Sequence, residues 1–195
     1  MSKPRTARGE QTRGAILRET AALLGANEPE TVTLDRISEL VPIAKSSILW
    51  HFGSKEQLFL AVVDHVFSEL IRSLDADVPA DADRRTRLSS MFDRYARFLA
   101  ENPHINTALF HLMFDRTLGP QVRDRIRDMY RLFRQAIVAQ ARASGIPASE
   151  DLAAAAVALV DGVFVQWLLD PERVEPRAVF EAVLDSADAW NRTTT

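Results

Sequence analysis

The chain has 195 residues, 47% of them hydrophobic, enough for one large or two small domains with a sizeable core. It has no cysteine, which excludes a disulfide framework and any thiolate metal site. Net charge is −3, yet residues 1–18 hold Lys3, Arg5, Arg8, Arg13 and Arg18 against Glu10 alone, so basic charge is concentrated at one end.

A basic arm on an acidic body suits DNA contact at that end, or else a solvated, mobile tail over residues 1–8. Met1-Ser2-Lys3-Pro4 leads into polar residues, not into an apolar signal segment. No apolar run reaches membrane-spanning length without charge. A cytoplasmic protein without a membrane partner is expected.

The periodicity predicts about nine helices and no strand. A first helix over 9–24 puts Ile16, Leu17, Ala21 and Leu24 on one side and stops at Gly25. A second starts at a Thr33 N-cap, with Leu34, Ile37 and Leu40 on one face, and breaks at Pro42. A third over 43–50 buries Ile43 and Ile48 and turns Lys45, Ser46, Ser47 and Trp50 outward. Gly53 ends it, and Ser54-Lys55-Glu56-Gln57 reads as a capping box for a fourth helix over 54–74. An acidic, proline-broken loop over 75–83 is the expected hinge. Further helices follow over 83–100, 103–114, 120–144, 150–169 and 176–190. Asn102-Pro103 and Gly119-Pro120 mark helix starts, Ser149 is a cap, and Gly145 and Asp170-Pro171 are stops.

Two short helices at a steep angle, the second presenting small polar and basic groups, have the shape of a helix-turn-helix DNA reader. Lys45, Ser46, Ser47 and Trp50 are placed to reach base edges or the adjacent backbone. Thr33, His51 and Lys55 are better placed for phosphates, with Thr33 and Lys55 at helix N-termini.

Ile37, Ile43, Ile48, His51-Phe52 and Ser54-Lys55-Glu56 with Leu58 together resemble the DNA-binding signature of the tetracycline-repressor (TetR) family. The likeness covers the first third of the chain well. Beyond it only length and all-helical plan correspond. Pro42 stands where the family has a turn glycine, Ala44 where it has a capping serine, and Leu49 where it has a phosphate-binding tyrosine. Proline fixes φ near −65°, so the turn must differ locally. The resemblance implies an all-α protein with a three-helix DNA-binding domain over 1–53 and a larger helical ligand-binding and dimerisation domain over 54–195. It implies Ala44 and Leu49 as further DNA-contacting positions. It implies a repressor, acting as a homodimer on a palindromic double-stranded operator and released by a small effector. The alternative is a dimeric helical ligand- or partner-binding protein whose reading head has weakened.

In the body, Phe67, Phe92, Tyr95, His104, Phe110, His111, Met129, Tyr130 and Phe133 form an aromatic set with a few polar tips. It can enclose a largely apolar effector, or simply fill a core. Small residues on the eighth helix allow close helix approach, and Phe164, Trp167, Phe180, Val183 and Leu184 offer large apolar area. That area suits an intramolecular core or, as the family's pairing of its last two helices implies, a dimer interface. His104 and His111 share a helical face, but nothing is spaced to complete a metal site. No nucleophile elbow, ordered Ser/His/Asp arrangement or glycine-rich phosphate loop exists, so neither catalysis nor a cofactor is expected.

Overall fold

A computed structural model describes residues 7–74, 81–143 and 147–193. Residues 1–6 of the basic arm, 75–80 of the expected hinge, and Ser144 and Gly145 lie outside them. The described residues form α1 (Ala7–Ala26), a single 3-10 turn (Pro29–Thr31), α2 (Leu34–Leu40), α3 (Lys45–Phe52), α4 (Lys55–Leu74), α5 (Arg84–Glu101), α6 (Pro103–Phe114), α7 (Pro120–Ala143), α8 (Glu150–Leu169) and α9 (Pro176–Thr193). There is no strand among them.

Capping chemistry sets several of the starts. The Arg36 amide donates to Thr33 Oγ1 at 3.2 Å, the Gln57 amide to Ser54 Oγ at 3.1 Å and the Leu152 amide to Ser149 Oγ at 3.1 Å. Ala44 caps α3 in extended conformation with no side-chain bond. The reading helix therefore begins two residues later than the sequence predicts, and Ile43 is a half-buried turn residue ahead of it.

The chain divides into two compact units: Met1–Glu69 with Asn102–Met129, and Leu70–Glu101 with Tyr130–Thr195. This packing division does not fall at residue 53. Helices α4 and α7 contribute residues to both units.

Unit 1 is built on a core of Ile16, Leu24, Ile37, Ile48, Leu58, Phe59 and Val62, each no more than 1% exposed. Helix α6 joins it by lying along α1. A side chain at Gly25 would overlap the His104 backbone, so only glycine permits that spacing. His111 Nδ1 lies 2.6 Å from the Leu24 carbonyl. A carbonyl only accepts, so Nδ1 carries the proton and donates.

Unit 2 is held by α5 against α9. Phe92 stacks on Phe180 with ring centroids 4.4 Å apart, and Tyr95 meets Phe180 edge-on at 6.1 Å. Arg85 reaches three carboxylates on one face of α9: Asp188 at 2.5 Å, Asp185 at 2.7 Å and Glu181 at 3.0 Å. Phe164 and Phe180 are each 1% exposed and Leu184 7%. These three lie in the core of the single chain. Trp167 is half-buried and Val183 exposed. Helix α8 is long and apolar enough to cross a membrane by length and composition, with the charge of Asp161 inside it.

Gly25→Ala should destabilise unit 1 by about 1–3 kcal/mol, because α1 and α6 must separate to admit a methyl group. Urea unfolding of the full chain checks it. Unchanged stability would show that the helices yield freely.

Candidate functional site

Helix α3 is fixed from behind by Ile48, 1% exposed, and ends where Gly53 takes φ +83°. Its other side is open. Ala44, Lys45, Ser46, Leu49 and Trp50 are exposed, Trp50 to 75%. Trp50 stands edge-on to the His51 ring, centroids 4.8 Å apart.

Arg8, Gly9 and Thr12 from the start of α1 line a groove of about 600 Å³ with Ile43, Ser46, Ser47, Trp50 and His51. The groove thus gathers four of the expected DNA-binding residues, Ser46, Ser47, Trp50 and His51. It adds Arg8, known from the sequence only as part of a basic arm, and Thr12, which no sequence signal marked. Hydroxyl groups, a guanidinium and an indole along one open groove are chemistry for base edges and phosphates. At the first residue of α3, Lys45 Nζ donates to Asp35 Oδ2 at 2.8 Å. Both groups are exposed, so this pair is worth at most about 1 kcal/mol and exchanges readily for a nucleic-acid acceptor. Thr33 remains exposed at the start of α2.

Lys55 behaves differently from the expectation. Its Nζ donates to the Pro29 carbonyl at 3.1 Å and lies 5.2 Å from the centre of the Phe59 ring. Partial burial pushes its pKa down, against the opposing charges of Asp115 and Glu30. Its ammonium ties α4 to the turn after α1.

The nine expected effector residues do not gather in one unit. Phe67, His104, Phe110, His111 and Met129 belong to unit 1, and Phe92, Tyr95, Tyr130 and Phe133 to unit 2. His104 and His111 are committed to the α1–α6 packing. Within unit 2 the polar tips converge on a residue the sequence reading missed. Tyr130 donates its hydroxyl to Asp161 Oδ1 at 3.3 Å, and Tyr95, 5% exposed, feels the charge of both. Burial pushes the Asp161 carboxyl up to about 6, the Tyr130 hydrogen bond pulling the other way. Burial, reinforced by the Asp161 charge, pushes both tyrosine hydroxyls well above their ordinary value. A signal existed: Asp161 is the sole charge between Leu152 and Leu169.

A helix-turn-helix with an open reading helix, joined to a second helical unit, defines a DNA-binding regulator by class. The sequence profile described as "Bacterial regulatory proteins, tetR family" matches residues 16–62, and that described as "Tetracyclin repressor-like, C-terminal domain" matches residues 80–187. The chain belongs to the TetR family of transcriptional regulators. It is 32% identical over 91 residues to an HTH-type transcriptional repressor of Mycobacterium tuberculosis, an overlap of 47% of this chain and 46% of that one. The chain thus spans about half the length of the curated relatives it matches first. A TetR transcription regulator from Haloarcula marismortui shares the fold, with TM-score 0.72 and 17% identity over 92% of this chain and 98% of that one. So does a protein from Saccharomonospora viridis in complex with choline, with TM-score 0.74 and 20% identity over 90% and 95%. These relatives are regulators and not enzymes.

The two lysines should part company. Lys45→Ala should weaken operator binding by about 1–3 kcal/mol and relax sequence preference. Lys55→Ala should cost stability and leave the salt slope of DNA binding unchanged. A salt titration of both variants checks this, and a flattened slope for Lys55→Ala would return that residue to the phosphate contacts.

Asp161 sets a pH dependence. Its folded pKa lies above its unfolded value near 3.8, so the fold disfavours the carboxylate. The penalty is present above about pH 6 and is relieved as pH falls toward the unfolded pKa. Asp161→Asn should therefore be more stable than wild type near pH 8, by about 1–3 kcal/mol, with the gap closing near pH 4. Paired denaturation curves across that range measure it.

Proposed function

We propose that this chain binds double-stranded operator DNA as a homodimer and represses transcription until a small, largely apolar molecule releases it. The observation that carries the DNA reading is the open face of α3, with Lys45, Ser46, Ser47 and Trp50 beside Arg8 and Thr12 of α1. Roles divide near residue 53: DNA reading before it, regulation after it. A cytoplasmic location goes with that role.

The homodimer is supported by uncovered apolar surface on α8 and α9. Leu168 is 51% exposed, Leu169 74%, Val183 39% and Trp190 71%. Ala154, Ala155, Ala158 and Gly162 are exposed small residues that permit close helix approach. A twofold pairing covers this surface and presents two reading helices to a palindrome. The effector reading is supported by the family's C-terminal domain and by the choline bound to the Saccharomonospora viridis relative. Helix α4 follows the reader after Gly53 and Ser54 and runs on into unit 2, which makes it the lever between ligand and DNA.

A second reading keeps the dimer and the ligand but weakens the head. Ala44 without a side-chain cap, Leu49 in place of a hydroxyl and the inward Lys55 favour it.

Operator selection from the protein's own genome, followed by gel retardation against a competitor duplex, separates the two. A sequence-specific shift at nanomolar protein is expected, and binding no tighter than to competitor would favour the second reading. Sedimentation should show a dimer at micromolar concentration, and Leu169→Glu with Val183→Glu should yield monomer. A wild-type monomer would sink both the pairing and the palindrome.

A further inference from the structure

We propose that Asp161, with Tyr95 and Tyr130, forms a recognition site for an organic ammonium group, so that the ligand of unit 2 is a cation carried on an apolar body. This rests on the reading of unit 2 as effector-binding, and it names the chemistry that reading leaves open.

The argument begins with an unbalanced charge. Asp161 stands on α8 between Ala158 and Phe164, half-buried, and Tyr130 of α7 supplies one hydrogen bond to it. Among the described residues no Lys, Arg or His pairs with it. A half-buried carboxylate supported only by a neutral hydroxyl is costly, and the cost falls when a positive group arrives.

The neighbouring groups select which positive group. Tyr130 donates its hydroxyl to Asp161, and buried Tyr95, which feels the Asp161 charge, stands edge-on to Phe180 at 6.1 Å, with Phe92 stacked 4.4 Å from Phe180. Aromatic faces beside a carboxylate attract ammonium groups and repel carboxylates and phosphates. A metal ion fits poorly, because the described residues hold no group of three or more His, Asp or Glu able to bind one. A bare apolar ligand would leave the carboxylate covered and uncompensated. An amine or quaternary ammonium on an apolar frame satisfies both the charge and the rings.

The test is calorimetry of the full chain at about pH 8 with three soluble probes sharing one ring: phenethylammonium, 2-phenylethanol and phenylacetate. Phenethylammonium should bind at least about tenfold more tightly than the other two. Asp161→Asn should abolish that preference, and Tyr130→Phe should retain it, since the charge remains. Benzyltrimethylammonium reports whether ring faces alone hold a cation that cannot donate a hydrogen bond. Equal affinity for all three probes, a preference that survives Asp161→Asn, or no binding of any probe at millimolar concentration would overturn the site. So would a change in dimerisation of Asp161→Asn without a change in cation binding, since Asp161 would then serve the partner copy. Cation binding that leaves operator affinity unchanged would instead sink the effector reading and leave the site standing.

Discussion

The reading unit depends on the close approach of α1 to α6. Helix α1 ends at Ala26, so its last carbonyls have no partner within the helix. Asn27 Nδ2 donates to the Leu23 carbonyl at 2.8 Å, and His111 Nδ1 donates to the Leu24 carbonyl at 2.6 Å. The second bond is possible only because Gly25 lets the α6 backbone come close. A helix end is thus completed by a residue 87 positions away in sequence. The consequence is architectural. The DNA-reading helices are not a free-standing module of residues 1–53, because Ile105, Ala108 and Leu112 of α6 are buried in the same unit. A displacement of α6 acts directly on α1, whose first turns line the groove beside α3.

Helix α3 is positioned from both ends without side-chain capping at its start. Among the described residues only Gly53 has positive φ, so the turn containing Pro42 is made entirely with ordinary backbone. Val41 takes φ −104° and donates its amide to Ile37 at 3.0 Å, closing α2 before the proline. Burial of Val41 and Ile48 then fixes α3 against α2. At the far end Gly53 reverses the chain, Ser54 caps α4, and Lys55 ties α4 to the Pro29 carbonyl. The uncapped α3 N-terminus leaves backbone amides beside Lys45 for an external acceptor, and a phosphate oxygen suits that position.

The sequence made the head legible because its signals are local. Thr33, Gly53 and Ser54 act within a few residues, and the apolar spacing of Ile37 and Ile48 reads directly as a buried face. The body was less legible because its contacts are distant. Aromatic residues on α5 to α7 read as one set, and nothing local says that α6 packs on α1 while α5 packs on α9. Phe164, Phe180 and Leu184 are ambiguous in sequence for the same reason: large apolar residues do not announce whether their own chain or a second copy covers them. For Lys55 the place at a helix N-terminus is readable, whereas a carbonyl 26 residues earlier within its reach is not.

The free energy held at Asp161 bounds what a ligand there can do. A carboxyl raised from 3.8 to about 6 disfavours its charged form by roughly 3 kcal/mol at most. A cation that compensates the charge can recover no more than that penalty plus its own attraction. A tenfold change in affinity corresponds to about 1.4 kcal/mol, so the range suffices for a regulatory response. Only a difference between conformations counts. If the DNA-bound and DNA-free forms bury Asp161 equally, a cation stabilises both and shifts nothing, however tightly it binds. Coupling therefore requires the ligand-preferring form to enclose Asp161 more fully than the operator-binding form. Helix α7, which carries Tyr130, and helix α4 contribute residues to both units, so the proposed regulation requires that such a change in enclosure alter one of these two helices.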